Sequence, residues 1–469
     1  MTYSWPDHFQ PAVVREAYRS NSLLSSYCIA VEAWRRGLRV TFKDPRLARF
    51  EIHDGARGID FNFSRPSTLT ADDAVRLTHD KYATTEALRA AEVACPLSIP
   101  FESAQSSFAQ VAEAADQVGY PVVIKPRRGS RGRGVLAGIA DEEELRTGYQ
   151  WLTEEFQVRE FVLEKHFEGG DHRVYVVGDE AVAVGVKVPA HVVGDGRHTI
   201  DELIDQKNQD RSSNPYLGQA PIARDYEVDS YIGWQGYTYD SVLQAGVHLR
   251  LRGKANASAG GDFHDQTEVL PDHIKEAAVR SVAAIDGVVT AGVDILYDPA
   301  KPHGEDYVVI ELNDRPHIGL NMYPTHGTGR DIPAAIVDAH FPDSRRLEVA
   351  GLQTLSINLE ATTAPLRNRT AEEVVVRRLP EDGLPVRRTF LINELNKLTG
   401  NQRNRLMAAS RNTEVSGALN EQHGVMVLGG TEAALETFCE RVSAITQCSV
   451  TEDSDYWDGP MELGFVLRR

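Results

Sequence analysis

Gly292-Val293-Asp294-Ile295-Leu296 and Val309-Ile310-Glu311-Leu312-Asn313-Asp314-Arg315-Pro316 are two short apolar tracts, each carrying oxygen-bearing side chains. Both read as strands. Residues two apart in a strand share a face, so Glu311 and Asn313 point to one side and Asp294 can join them from a neighbouring strand. A few carboxylate or amide oxygens set out in this way suit Mg²⁺, whose octahedron phosphates and waters complete. The plain alternative is a β-hairpin with ordinary surface acids, and the surrounding sequence has to decide between them.

Upstream, Pro121-Val122-Val123-Ile124-Lys125-Pro126 places a lysine at the end of a buried strand. A compact charge there can reach phosphate oxygens. Gly129-Ser130-Arg131-Gly132-Arg133-Gly134 follows. Glycines at that spacing, Gly129, Gly132 and Gly134, let backbone N–H groups approach a phosphate. The loop is neither a Walker A nor a Rossmann pattern, because no helix opens directly after it. Alone it reads equally well as a flexible hairpin. Asp80-Lys81 opens a helix and by itself is an ordinary solvated helix start. Glu164-Lys165-His166-Phe167-Glu168-Gly169-Gly170-Asp171 follows an apolar strand. A carboxylate there can bind a ribose diol while backbone groups read an adenine edge; otherwise the segment is a charged turn.

The chain has 469 residues, 42% of them hydrophobic and 25% charged, which fits a soluble globular protein of about three domains. Its formal net charge of −18 argues against nucleic acid or an anionic membrane as the main partner, since binding a phosphate backbone needs a basic face. The four cysteines, Cys28, Cys95, Cys439 and Cys448, form no CxxC pair. A zinc knuckle is not expected, and such sparse cysteine fits a reducing, cytoplasmic setting. Met1 to Gln10 lacks a signal-peptide pattern, and no apolar run approaches the roughly 20 residues of a membrane span.

The periodicity predicts a helix over 20–37, then a hairpin in which Phe50 and Ile52 alternate, Asp54-Gly55 turns, and Ile59, Phe61 and Phe63 alternate. Strands and helices then interleave: helices over 106–118 and from Asp141, strands at 158–163, 172–177 and 181–188, a helix over 270–284 and another over 332–340. The polar stretch 206–224 reads as a loop or helix end long enough to be a lid. The last 120 or so residues look separate, with strands near 374–376 and 389–392, helices over 400–411 and 431–442, a hairpin over 416–428 and a final strand at 465–467. The expected domains are 1–78, 79–348 and 349–469.

Taken in order, Asp80-Lys81, the Lys125 strand, the 129–134 loop, Glu164 to Asp171, and Asp294 with Glu311-Leu312-Asn313 resemble the ATP-grasp superfamily. The resemblance is to its glutathione synthetase, cyanophycin synthetase and D-alanine–D-alanine ligase group. Pro189-Ala190-His191-Val192-Val193-Gly194-Asp195-Gly196 with the helix from Thr199, and Gly246 to Gly261 with Leu251-Arg252-Gly253-Lys254-Ala255-Asn256, are similar to cyanophycin synthetase and the bifunctional glutathione synthetases. The likeness spans roughly 20–345. It implies an α/β (α+β) ATP-grasp fold and an ATP-dependent carboxylate–amine ligase that works through an acyl phosphate. An amino acid, with glutamate through its γ-carboxylate as one candidate, would be joined to an amino acid, peptide or amine.

The same resemblance implies the site. Lys81 and Lys125 bind ATP phosphates, and the loop carrying Gly129, Ser130, Gly132 and Gly134 closes over them. Glu164, Lys165 and Phe167 line the adenine, and Asp171 holds the ribose. Asp294, Glu311 and Asn313 bind two Mg²⁺, with Mn²⁺ an accepted alternative. Oxyanion candidates are Lys187, Arg252, Lys254 and Asn256 with the Gly260-Gly261 backbone. The family places arginine where Lys187 and Lys254 stand here, and lysine lacks the bidentate fork. Arg315 and Arg330 are the substrate candidates; Arg330 can grip a carboxylate bidentately or simply be a solvated arginine. A homo-oligomer is expected from the family's habit.

The order strand, helix, hairpin, helix, strand in 370–469 resembles the acylphosphatase fold, a ferredoxin-like α+β sandwich. Gly400-Asn401-Gln402-Arg403 and Ser416-Gly417-Ala418-Leu419-Asn420 would be its phosphate loop and asparagine tract. The loop lacks that family's glycine spacing, and a phosphatase cutting the ligase's own intermediate would defeat it. A structural, dimerising or lid role is expected. Two other readings stay open for the whole chain: a small-molecule kinase that stops at phosphorylation, and a non-catalytic nucleotide-binding regulator.

Overall fold

Thr290–Tyr297 and Tyr307–Asn313 pair as an antiparallel hairpin that sets Asp294 opposite Glu311 and Gly292 opposite Asn313. They form one edge of a five-stranded sheet in the order Asp262–Asp265, Glu180–Val188, Gly170–Val177, Thr290–Tyr297, Tyr307–Asn313. Every neighbouring pair in it is antiparallel. The computed structural model describes residues 4–19, 23–129, 132–380, 382–454 and 456–468. Ser130 and Arg131 lie outside them.

One face of this sheet is apolar because Val174, Val176, Val184, Val293, Ile295 and Val309 all point to it. The helix Asp272–Ala283 covers that face with Ile274, Ala277, Ala278 and Val282. Its apolar positions recur three and four apart, the spacing of a single helical stripe. The opposite face carries the charges.

A second antiparallel sheet runs Ser98–Glu102, Glu160–Lys165, Val122–Pro126, Leu136–Ile139. Helices Phe108–Val118 and Glu142–Gln150 cover it through Val111, Ala115 and Leu145. Asp141 caps the latter by accepting the Glu144 N–H at 2.9 Å, with three glutamates in the first turn where the helix dipole favours them. A smaller module holds helices Ile200–Ser212 and Tyr226–Trp234 and the pair His191–Val193 with His248–Arg250.

Of the stretch 206–224, expected as a loop or helix end, the part to Ser212 is the end of a helix. A capping box between Thr199 and Glu202 starts that helix. Buried Arg211 anchors its end by donating to Ala220 O at 2.8 Å and to Asp262 Oδ1 at 3.1 Å. Local polarity left loop and helix end open; the cap and the buried arginine make the first part helical.

The chain divides into two compact units. One comprises residues 1–4 and 64–335, the other 5–63 and 336–469. In the second, helix Leu24–Arg35 is buried along its length. The meander Arg39–Phe42, Arg49–His53, Gly58–Asn62 takes Val374–Val375 as a further antiparallel strand beside Arg39–Phe42. The N-terminal segment through Phe63 therefore groups with the chain beyond Ile336. The C-terminal sheet runs Val450–Ser454, Val386–Ile392, Val425–Gly430, Ser416–Asn420, Phe465–Arg468, the last pair parallel. With helices Gly400–Thr413 and Glu432–Thr446 this is a β-α-β-β-α-β core with one added edge strand. Gly400 to Arg403 forms the first helical turn, capped by Thr399, and Arg403 pairs with Glu421 at 2.7 Å. Asn420 Oδ1 is taken by the turn N–H groups of Gln422 and His423.

Candidate active site

The side chains of the two acidic strands reach one face through a fault in the pairing. Asp294 faces Glu311, yet Ile295 faces Val309, so Ile310 is an extra residue in the second strand. Tyr307, Val309 and Leu312 all enter the apolar core. Without the bulge, strict alternation would put Glu311 on the same side as Val309, inside that core. The bulge re-aims Glu311 and Asn313 to the charged face, a known use of bulges beside functional sites.

On that face Arg173 stands opposite Asp294 in the adjacent strand. It grips the carboxylate with Nε–Oδ1 at 2.7 Å and Nη2–Oδ2 at 2.6 Å. Lys187 Nζ lies 3.2 Å from the same Oδ2 and 2.8 Å from Asp171 Oδ1. Burial alone would raise the Asp294 carboxyl, but Arg173 and Lys187 hold it well below the usual carboxylate range. Asp171 goes the other way: burial pushes it up, against the opposing pull of Lys187. Two cations thus keep Asp294 ionised in a buried setting. Arg173 is absent from the sequence-predicted set. Only its cross-strand register with a residue 121 positions away reveals it.

The other sheet brings its own charges. Lys125 Nζ and Glu164 Oε2 form a buried pair at 2.7 Å, and Glu164 Oε1 accepts the Ser98 hydroxyl at 3.2 Å. Asp80 caps the helix Lys81–Ala90 by accepting the Ala83 N–H at 3.2 Å and is clamped by Arg127 Nε at 2.7 Å. Lys81 Nζ donates to Gly129 O at 2.9 Å. Burial lowers the Lys81 ammonium; Glu311 raises it and Lys125 lowers it further, so Lys81 sits within electrostatic reach of both. Lys254 Nζ donates to Gly132 O at 2.9 Å. Gly129, Gly132 and Gly134 all have positive φ, and a Cβ at Gly134 would come within 2.8 Å of Pro126 Cγ.

Residues 78–224 match the family model of the ATP-grasp domain. The chain carries an ATP-grasp domain. It is 35% identical over 300 residues to the cyanophycin synthetase of Synechocystis sp., a stretch that is 62% of this chain and 33% of that protein. Against the glutathione biosynthesis bifunctional protein of Pasteurella multocida it is 30% identical over 298 residues, 61% of this chain and 39% of the other. The crystal structure of a bifunctional glutathione synthetase from Pasteurella multocida matches with a TM-score of 0.55 and 26% identity, over 69% of this chain and 44% of that one. The chain therefore spans about a third to two fifths of the length of these curated relatives. Among the described residues no helix is long and apolar enough to cross a membrane.

Several expected site residues of the ATP-grasp domain are engaged within the protein. Lys165 Nζ donates to Gly119 O at 2.7 Å and Tyr120 O at 3.0 Å. The Phe167 ring lies under Lys301 Nζ at 3.4 Å. Arg252 pairs with Asp225 at 2.5 Å and Glu227 at 2.7 Å. Asn256 Oδ1 caps a short turn by accepting the Ser258 N–H at 3.1 Å. Arg330 takes Asp265 at 2.7 Å and Glu268 at 2.8 Å. Asn313 Oδ1 accepts the Arg315 backbone N–H at 3.0 Å. Arg252 and Arg330 thus already hold internal carboxylates, whereas among the described residues Lys81 and Lys254 hydrogen-bond only to carbonyls of the glycine loop.

Proposed function

We propose that the ATP-grasp domain, residues 79–348 in this reading, is the catalytic part of an ATP-dependent carboxylate–amine ligase. It would form an amide or peptide bond and release ADP and phosphate. The observation that carries this is the assembled charge pattern: Asp294, Glu311 and Asn313 share one sheet face, with Lys81 in electrostatic reach of both Glu311 and Lys125. Similarity to synthetases for cyanophycin and glutathione supports the reaction class.

Phosphoryl transfer asks for alignment and charge neutralisation more than covalent help. Lys81 and Lys125 meet the phosphates. Lys81 and Lys254, bonded to Gly129 O and Gly132 O, exchange those carbonyls for nucleotide and reacting oxygens when the substrates bind. The all-oxygen set of Asp294, Glu311 and Asn313 fits Mg²⁺. Held by these three residues, Mg²⁺ (two ions, with Mn²⁺ accepted) would supply charge neutralisation at the transferring phosphoryl group. Lys187, held between Asp171 and Asp294, offers a cation toward the oxyanion of the acyl-transfer step. The acid is an amino acid or small peptide, and the site works in the cytoplasm.

The test is incubation of the purified chain with Mg²⁺-ATP and pooled amino acids, read by phosphate release and mass spectrometry. A condensation product whose appearance needs both an acid and an amine is expected. A stable phosphorylated product without any amine would make the protein a kinase. Phosphate release no higher than background would leave it a nucleotide-binding regulator.

A further inference from the structure

His273, His303 and Asp306 converge away from the charged face. His273 lies in the first turn of the helix that covers the apolar face of the main sheet. His303 and Asp306 lie in the turn joining the two acidic strands, beyond the Tyr297–Tyr307 pair that closes the ladder. One donor atom from each of the three lies within 4.8 Å of the others.

The cluster has the features of a built site. Asp306 is 4% exposed. Its Oδ1 accepts the Gly304 N–H at 3.1 Å, which leaves Oδ2 directed at His273 Nε2, 2.8 Å away. That backbone contact fixes the carboxylate as an outer partner fixes a ligand. Gly304, with φ +92°, makes the sharp turn that folds His303 back toward Asp306. The rings of His273 and His303 stack at 4.3 Å, and Tyr307 meets His273 edge-on at 6.1 Å. His303 is exposed, so its ring can turn toward an ion while His273 and Asp306 stay seated.

We propose that His273, His303 and Asp306 bind a divalent transition-metal ion, distinct from the Mg²⁺ of the nucleotide site. Two imidazole nitrogens and one carboxylate oxygen form a donor set for Zn²⁺, Co²⁺ or Ni²⁺, whereas Mg²⁺ favours oxygen alone. The bound ion ties the start of the helix to the hairpin turn, and solvent supplies the remaining positions.

The test uses the full chain, freed of metal by chelation and kept in excess Mg²⁺, titrated with Zn²⁺ against a chromophoric chelator. One equivalent of Zn²⁺ binds in the wild type and raises Tm, as a ligand selective for the folded state must. His303→Ala weakens that binding by at least about 10–100-fold, the cost of losing even an outer partner, and abolishes the Zn²⁺-dependent rise. Its metal-free Tm stays at the wild-type value, because His303 is exposed. Asp306→Asn gives the same loss, and Glu311→Gln leaves it intact. Equal Zn²⁺ affinity in wild type and His303→Ala would overturn the proposal and leave His273–Asp306 as a structural pair. So would wild-type binding no tighter than that of a His273→Ala/His303→Ala double variant.

Discussion

At the scale of single residues, Asp294 and Glu311 look interchangeable in sequence and differ in the fold. Asp294 is buried and gripped by Arg173 and Lys187. Replacing it by asparagine leaves Arg173 buried without its paired carboxylate and Lys187 with Asp171 alone, a change that costs about 3–5 kcal/mol. Urea unfolding of Asp294→Asn should show a loss of that size; a loss below about 1 kcal/mol would mean that the cluster relaxes into solvent. Glu311 is half-buried, and among the described residues its carboxylate makes no hydrogen bond or ion pair. Glu311→Gln should therefore keep the wild-type Tm. In the proposed role of metal ligand it would contribute several kcal/mol at the transition state, so ATP turnover should fall by more than about 100-fold. Near-normal ADP release in this variant would remove Glu311 from the metal set.

At the scale of elements, the glycine loop is where backbone conformation and function meet. Gly134 has φ +73°, and a Cβ there would press on Pro126 Cγ at 2.8 Å and Phe156 Cε1 at 3.1 Å. Gly134→Ala should cost about 1–3 kcal/mol locally and raise the KM for ATP roughly tenfold, since about 1.4 kcal/mol is a factor of ten. Gly138 is the control: its φ is +76° but a Cβ there meets nothing within 4 Å. Gly138→Ala carries the backbone strain without the clash, and its KM for ATP should stay near wild type. Equal KM changes in the two variants would mean that strain anywhere in 129–139 disturbs the site. The loop was legible because glycine spacing is a local signal, as were the Lys125 strand and the helix opening at Asp80. The bulge at Ile310 was not, since it shows only as a slip between two strands. Arg173 was hidden for the same reason: His172-Arg173-Val174 reads as an ordinary alternating strand until Asp294 pairs beside it. Asp265, which takes Arg330, and Asp225 and Glu227, which take Arg252, are likewise partners set by folding and not by spacing.

At the scale of the whole molecule, each of the two compact units carries a histidine that burial pushes far down; His172 and His191 in the first unit are lowered as well. In the unit of residues 64–335, burial pushes His264 down to about 4, and the neighbouring His326, with ring centroids 4.2 Å apart, adds to the shift. In the unit of 5–63 and 336–469, burial pushes His340 down to about 4, with Arg57 adding to it. An unfolded histidine titrates near 6.5. Between about pH 6.5 and 4 the unfolded chain therefore binds more protons than the folded one, and stability rises with pH. The contribution of each histidine is fully present above 6.5 and is lost as pH falls toward 4. Hydrogen exchange read peptide by peptide in low urea separates the two units. Both should lose protection across that window. His264→Gln should flatten the pH slope for peptides within 64–335, and His340→Gln the slope for peptides within 5–63 and 336–469. If His340→Gln leaves the second slope unchanged, His340 is not what makes that unit acid-sensitive. If either variant flattens both slopes, the two units unfold as one cooperative body.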